Sequence, residues 1–558
     1  MSINNSNSIN SGSDTTGLLV DSFQFSSDQP LDTSVLAAMA SAYFPEFENS
    51  TPPALPQLVE QPVQSQNEFS EVDFINAIPV ALKNAASSEV QAISQSQFMP
   101  FCFLEEARSL FTEIGDTVGN QSKHESETFV SSDENVNLGA VISPELNVHG
   151  NPFDVKSIRK EFPILTEKVN GKNLVWFDNA ATTQKPKSVI ERLTKFYQHE
   201  NSNIHRAAHT LAARATDAYE EARDKVKMFL NASSSKEIVF VRGATEAINL
   251  VTQSWGKYNL KKDDEVIVSL LEHHANIVPW QMICLETGAK LRVIPVDETG
   301  QILLHEYEKL LNPKTKIVAV THVSNTLGTV TPVGEIVKIA HRYGAKVLID
   351  GAQAVSHMKV DVQALDCDFY VFSGHKIFAP TGIGVLYGKA ELLNAMQPYQ
   401  GGGNMIVDVT FEKTVYKDSP DRFEAGTGNI ADAVGLGAAI DYVNSIGIEN
   451  INTYENSLLE YGMNSLQCVP DLRLIGTAKE KASVISFVID GFTAEEIGKA
   501  LSEEGIAVRA GHHCAQPILR SFGLEATVRA SLAFYNTYEE IDILTSVLCK
   551  LKKVVYLN

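Results

Sequence analysis

From about residue 152 onward, short apolar runs bounded by polar residues alternate with stretches of helical spacing. No other feature limits the fold as much. Glu237–Val241, Glu265–Val268 and Lys316–Val320 are such runs, and Glu335–Ala340 is one of the helical stretches between them. Runs that are apolar at every position suit strands covered on both faces. Joined by helices, they predict an α/β fold with a mostly parallel sheet. Near Gly435 the alternation loosens. A helical region over roughly 432–468 precedes strands near 483–489 and 506–509 and a C-terminal helix. The expected division is an N-terminal segment and large domain over 151–431, then a smaller α+β domain over 432–558. No internal repeat is evident.

Residues 1–150 have a different character. Ser, Asn, Gln and acidic residues dominate there, and Lys83, Arg108 and Lys123 stand against 20 Asp and Glu. That net of −17, out of −22 for the chain, leaves only −5 for residues 151–558. The acidity argues against nucleic acid or anionic membrane as a partner of this part. Two segments have helical spacing: Val35, Leu36, Met39 and Tyr43 after Asp32-Thr33, and Leu104, Ala107, Phe111 and Ile114 after Pro100. The expectation is a largely disordered extension with short helices. The alternative is that those helices dock on the body of the protein or on a partner. The start of the chain has no basic segment followed by an apolar run, and no stretch approaches the ~20 apolar residues of a membrane helix. The six cysteines are irregularly spaced, which suggests free thiols in a reducing cytoplasm.

In open α/β sheets ligands gather at the carboxyl ends of strands, and four features lie at such ends. Arg242-Gly243-Ala244-Thr245 stands between a strand and a helix, where small residues let backbone amides reach a phosphate. Taken alone it also reads as an ordinary tight turn. Glu272-His273-His274-Ala275-Asn276 offers an imidazole that could stack on a flat ring, or a structural histidine, or a metal ligand. As a chelate the His pair is poor, because neighbours in extended chain point opposite ways. Asp350, with Gln353 beyond it, ends the run Lys346–Ile349. Ser373-Gly374-His375-Lys376 follows the run Asp368–Phe372. A lysine at one strand end and an aspartate at another are what pyridoxal phosphate requires. The lysine holds the cofactor as a Schiff base and the aspartate keeps its pyridine nitrogen protonated.

A further constellation, Arg509-Ala510-Gly511-His512-His513-Cys514, sets a cysteine beside two histidines. That suggests an activated thiol, a buried inert one or a metal site. Zinc is disfavoured, since contiguous residues rarely converge on one ion and no distant CxxC completes a set. Arg509 and Arg529, the latter in Val528-Arg529-Ala530-Ser531, suit a substrate carboxylate, which a guanidinium fork matches.

Over residues 152–555 the sequence resembles the class V aminotransferase family of fold-type I pyridoxal phosphate enzymes, and in particular the SufS-type (group II) cysteine desulfurases. The resemblance lies in Trp176–Ala181, Asn203–Arg206, Arg242–Glu246, Glu272–Asn276, His322–Asn325, Asp350–Gln353, Ser373–Lys376, Arg422–Thr427 and Arg509–Cys514. It implies Lys376 as the Schiff-base lysine, Asp350 at the ring nitrogen, Gln353 at the phenolic oxygen and His273 stacked on the ring. It implies Ala244, Thr245, Ser373 and His375 at the phosphate, with Thr427 reaching the phosphate held by the other subunit of a homodimer. Asn325 and His205 join the two arginines as implied substrate contacts, and Cys514 becomes the persulfide-forming nucleophile. The implied reaction turns L-cysteine into L-alanine and passes sulfur to a SufE-like or SufU-like acceptor for iron–sulfur cluster assembly. Selenocysteine lyase activity is an implied side reaction. A transaminase on the same fold and a cofactor-binding regulator are the competing readings.

Overall fold

The computed structural model describes residues 147–148, 151–205 and 209–555, so the expectations for residues 1–146 and for Arg206 lie outside the described residues. One seven-stranded sheet organises the larger part. In chain order its strands are Ile238–Val241 (β1), Glu265–Ser269 (β2), Lys290–Ile294 (β3), Thr315–Thr321 (β4), Lys346–Asp350 (β5), Phe369–Ser373 (β6) and Gly384–Gly388 (β7). Their spatial order is β1-β7-β6-β5-β4-β2-β3. Only β7 runs antiparallel to its neighbours, and the other pairings are parallel. The mostly parallel sheet read from the sequence is the one observed. Strands β1, β2, β6 and β7 are buried along their whole length, which is why their runs lack alternation.

Helices cover both faces. Ala244–Val251 (α1) and Val278–Thr287 (α2) pack with one face of the sheet around Val266, Val268, Ile317 and Leu348. Val333–Arg342 packs on the other face around Val318, Val347 and Ile349. Parallel pairing brings Ser269, Thr321, Asp350 and Ser373 to one edge of the sheet. That edge is the carboxyl end, where the sequence predicts a site.

The region over 432–468 is two helices, Ile430–Ile446 and Ile448–Gln467. Gly447, at φ 90°, separates them in a backbone region that side chains rarely adopt. The C-terminal sheet is four-stranded and antiparallel, in the order Leu472–Ile475, Val484–Ile489, Thr527–Ser531 (β8), Arg509–Gly511 (β9). Helix Ala494–Glu503 packs with it, and Tyr538–Val555 packs on that helix and on Ile448–Gln467. The expected strand near 506–509 is split. Ile506–Ala507 pairs in parallel with Val175–Trp176, while Arg509 begins β9. Residues just after 175 therefore join the C-terminal lobe at two points: Phe177 N–H donates to Ala507 O at 2.9 Å and Ser531 N–H donates to Phe177 O at 2.7 Å.

Candidate active site

A cleft of about 180 Å³ opens at the carboxyl edge of the large sheet. Lys376, Asp350, Gln353, His273, Ala244, Thr245, Ser373, His375, Asn325, Arg509 and Arg529 all line it. Of the candidates from the sequence, Cys514 stands at its margin, with Sγ 3.8 Å from Arg509 Nη2. His205 and Thr427 do not line it. His205 Nε2 meets Glu220 at 2.9 Å. Thr427 lines a second cavity, of about 560 Å³, together with Tyr219, Arg242 and Glu424.

The floor of the cleft is a cup at the start of α1. Gly243 precedes α1, and the Ala244 N–H at the helix start donates to Ser373 Oγ at 2.9 Å. A Cβ on Gly384 would lie 2.4 Å from Gly243 Cα and 2.7 Å from Phe372 O. Only glycine there lets β7 pass between β1 and β6 this closely. Thr245 and His375 complete the cup. Burial, with Lys376 next to it, brings the His375 imidazole down to about 4, so it is neutral at physiological pH.

Above the cup, Lys376 ends a short 3₁₀ turn, Gly374–Lys376. Burial lowers its amine to about 8, with Asp350 opposing and Arg529 and Arg509 assisting. Asp350 closes β5, buried, and accepts from Ala352 N–H at 3.0 Å. Burial raises its carboxyl. Gln353 Nε2 donates to Ala180 O at 2.7 Å, which ties the residues after 175 to the cleft. His273 Nδ1 accepts from Ala275 N–H at 3.0 Å. A backbone amide can only donate, so in the neutral ring the hydrogen sits on Nε2. Burial, then Lys376, holds His273 neutral, down to about 3.

The opposite wall is cationic. Arg509 and Arg529 are cross-strand partners on β9 and β8. Arg529 is 1% exposed; it bonds Asp178 at 3.0 Å and Asn325 O at 2.9 Å, and its Nε finds no partner among the described residues. Burial and Arg509 pull it down to about 10 despite Asp178. Two guanidinium groups against the one carboxylate of Asp178 leave this wall with an excess of positive charge, which suits an anion. Asp178 carried no assigned role in the sequence reading; its match within Trp176–Ala181 was the available signal.

The Cys514 loop is held from three sides. Asn325 Nδ2 donates to His513 O at 2.8 Å, and His513 Nε2 meets Thr527 Oγ1 at 2.8 Å. The His274 N–H donates to Cys514 O at 2.8 Å. The rings of His274 and His512 stack at 5.8 Å. His513 and Cys514 both adopt left-handed backbone, φ 54° and 56°, a strained geometry kept only where surrounding contacts impose it. Cys514 is half-buried, and Cys284, Cys367, Cys468 and Cys514 carry free thiols. Among the described residues no group of three or more His, Cys, Asp or Glu is placed to hold a metal ion.

This donor set fits pyridoxal phosphate: a helix-start cup for the phosphate, a carboxyl for the ring nitrogen, a neutral imidazole for the ring face and an amine for the aldehyde carbon. Sheet and site together define a fold-type I pyridoxal phosphate enzyme. The sequence profile described as Aminotransferase class-V matches residues 175–544, and the chain belongs to that family. It is 68% identical over 400 residues to a cysteine desulfurase of Synechococcus elongatus, covering 72% of this chain and 64% of that relative. The chain thus spans less than two thirds of that relative's length. A cysteine desulfurase of Cronobacter sakazakii is 51% identical over 404 residues, with 72% of this chain and 99% of the relative covered. The crystal structure of the Escherichia coli cysteine desulfurase CsdA superposes with a TM-score of 0.68 at 39% identity, over 72% of this chain and all of that one. No described helix is long and apolar enough to cross a membrane.

Proposed function

We propose that this protein is a cysteine desulfurase of the SufS type, converting L-cysteine to L-alanine and retaining the sulfur as a persulfide on Cys514. The observation that carries this is the convergence of Lys376, the Arg509–Arg529 pair and the Cys514 loop on one cleft. A transaminase needs the first two and has no use for a strained, thiol-bearing loop at the cleft mouth.

Pyridoxal phosphate, when bound, supplies the electron sink that acidifies the substrate Cα–H and labilises the Cβ–S bond. Arg529, pinned by Asp178 and Asn325, holds the substrate carboxylate, and Arg509 adds the second charge between that site and the thiol. The Lys376 amine, lowered to about 8, takes the Cα proton and returns one as alanine forms. His273, neutral with its hydrogen on Nε2, can give a proton at that atom before it can take one. The Cys514 thiolate attacks the substrate sulfur; the Cβ–S bond breaks and an S–S bond forms on the enzyme.

The further reading is a homodimer in which Thr427 lies at the subunit boundary, acting in the cytoplasm and passing sulfur to a SufE-like or SufU-like acceptor for iron–sulfur cluster assembly. Selenocysteine is an alternative substrate in this reading. The test is purified protein incubated with L-cysteine, with and without a thiol acceptor. Alanine release and the gain of one sulfur atom on Cys514 are expected. Accumulated pyridoxamine phosphate without alanine would favour the transaminase.

A further inference from the structure

Thr183 lies just beyond Ala180 and Ala181, which line the cleft, and is itself 3% exposed. Its hydroxyl touches both flanks of Lys376. Oγ1 accepts from Phe378 N–H at 2.8 Å and donates to His375 O at 3.1 Å. The partners fix both directions, because a backbone amide can only donate and a carbonyl can only accept. On the carbonyl side the hydroxyl has company: Thr183 N–H and Thr182 Oγ1 donate to the same oxygen at 3.0 and 3.1 Å. On the amide side it has none. Among the described residues, Phe378 N–H has Thr183 Oγ1 as its acceptor and no other.

That amide belongs to a strained residue. Phe378 has φ 62°, a left-handed backbone that bulky side chains rarely adopt and that persists only where contacts impose it. Its ring is fully buried and packs on Phe534 with centroids 4.6 Å apart. At the other end of the turn, Gly374 N–H donates to Ile383 O at 2.9 Å. With both ends anchored, a Phe378 amide deprived of its acceptor moves the residues between them, Lys376 included. The segment carrying Thr183 is held independently. Asn179 Nδ2 donates to Ser531 O at 2.7 Å, and Gln184 N–H donates to the Tyr535 hydroxyl at 3.1 Å. Loss of one hydroxyl therefore leaves Asp178 and its pairing with Arg529 in place.

We propose that Thr183 is a positioning residue for Lys376, its hydroxyl bracketing the turn so that the amine faces the reacting carbon. Thr183 is not among the residues lining the cleft and acts through the lysine. This rests on the pyridoxal phosphate reading above. An amine that must meet the aldehyde carbon and then the substrate Cα–H is sensitive to small displacements. Carboxylate binding at Arg529 does not depend on where that amine points.

The test compares wild type with Thr183→Val, which keeps the shape and loses the hydroxyl, and with Thr183→Ser, which keeps the hydroxyl and loses the methyl. Pyridoxal phosphate is added to cofactor-free protein, and growth of the visible absorption band is followed. Thr183→Val is expected to take up cofactor ~10-fold more slowly, the scale of one buried hydrogen bond. Once loaded, its kcat for alanine release should fall ~10-fold, with KM for L-cysteine within ~2-fold of wild type. Thr183→Ser should restore both. Thr183→Ala, with the same losses expected, replaces the valine protein if that one does not fold. A lower melting temperature with unchanged uptake and kcat would overturn the proposal and leave Thr183 a packing residue. Losses that Thr183→Ser shares would overturn it as well. A visible band that never forms in wild type, or that persists in Lys376→Ala, would overturn the cofactor reading instead, and this inference with it.

Discussion

At the scale of single residues, the proposed function divides the chemistry between Lys376 and Cys514, and each makes a separable prediction. In that proposal Cys514 touches the reaction only at the sulfur transfer. In Cys514→Ser, alanine formation should fall at least ~100-fold while bound cofactor and its absorption band persist. Normal turnover with a thiol acceptor present would exclude the assigned nucleophile. Lys376 can be tested through stability. Burial lowers its amine from 10.5 to about 8 in the cofactor-free fold. Between those values the unfolded chain binds more protons than the folded one, so stability rises with pH there. The penalty is fully present below pH 8 and is lost as pH climbs through 10.5. Cofactor-free Lys376→Met should therefore melt above wild type near pH 7, with the difference shrinking toward pH 10 in paired thermal scans. A difference that does not vary with pH would mean that the amine is not buried in the charged form. Both residues were legible in the sequence, because a lysine or a cysteine at a strand-end turn is a local feature. Asp178 was not. Its significance lies in a partner far along the chain, Arg529, that only the folded sheet brings near.

At the scale of elements, the sheet edge does the positioning. Four strand ends deliver Ser269, Thr321, Asp350 and Ser373 side by side, and the antiparallel β7 fits between β1 and β6 through Gly384. Gly384→Ala would place a methyl group 2.4 Å from Gly243 Cα, forcing open the cup proposed for the phosphate. The expected cost is about 1–3 kcal/mol of stability, as in other overpacked sites, with cofactor lost on dialysis that wild type survives. Unchanged retention would show that the cup tolerates displacement of Gly243. The buried strands were readable because a strand covered on both faces is apolar at every position. The break at Gly447 was not, since a single glycine within a long helical pattern is also compatible with a continuous helix. The split of 506–511 between two sheets escaped for another reason. It is set by pairing with Val175–Trp176, more than three hundred residues earlier in the chain.

At the scale of the whole molecule, the charge divides the chain where the contacts do. The unit Asn135–Asn558 forms its own compact body, with a hydrophobic core running from Phe162 to Leu548. Within the described residues that core is closed by the chain's own segments. Arg159 pairs with Glu540 at 2.8 Å, and buried His357 meets Glu455 at 2.5 Å. Most of the excess negative charge, −17 of −22, lies in the first 150 residues. Removing residues 1–134 should therefore leave folding and the cleft intact, because every residue placed at the site lies beyond residue 175. It should raise the isoelectric point and strip most of the self-repulsion that a net of −22 imposes. The truncated protein is expected to bind cofactor stoichiometrically and to melt within a few degrees of full length. With thiol acceptor it should release alanine at an unchanged rate. A drop in melting temperature or loss of cofactor would make the extension part of the fold. Unchanged stability with slower transfer to a protein acceptor would instead make it part of the delivery of sulfur.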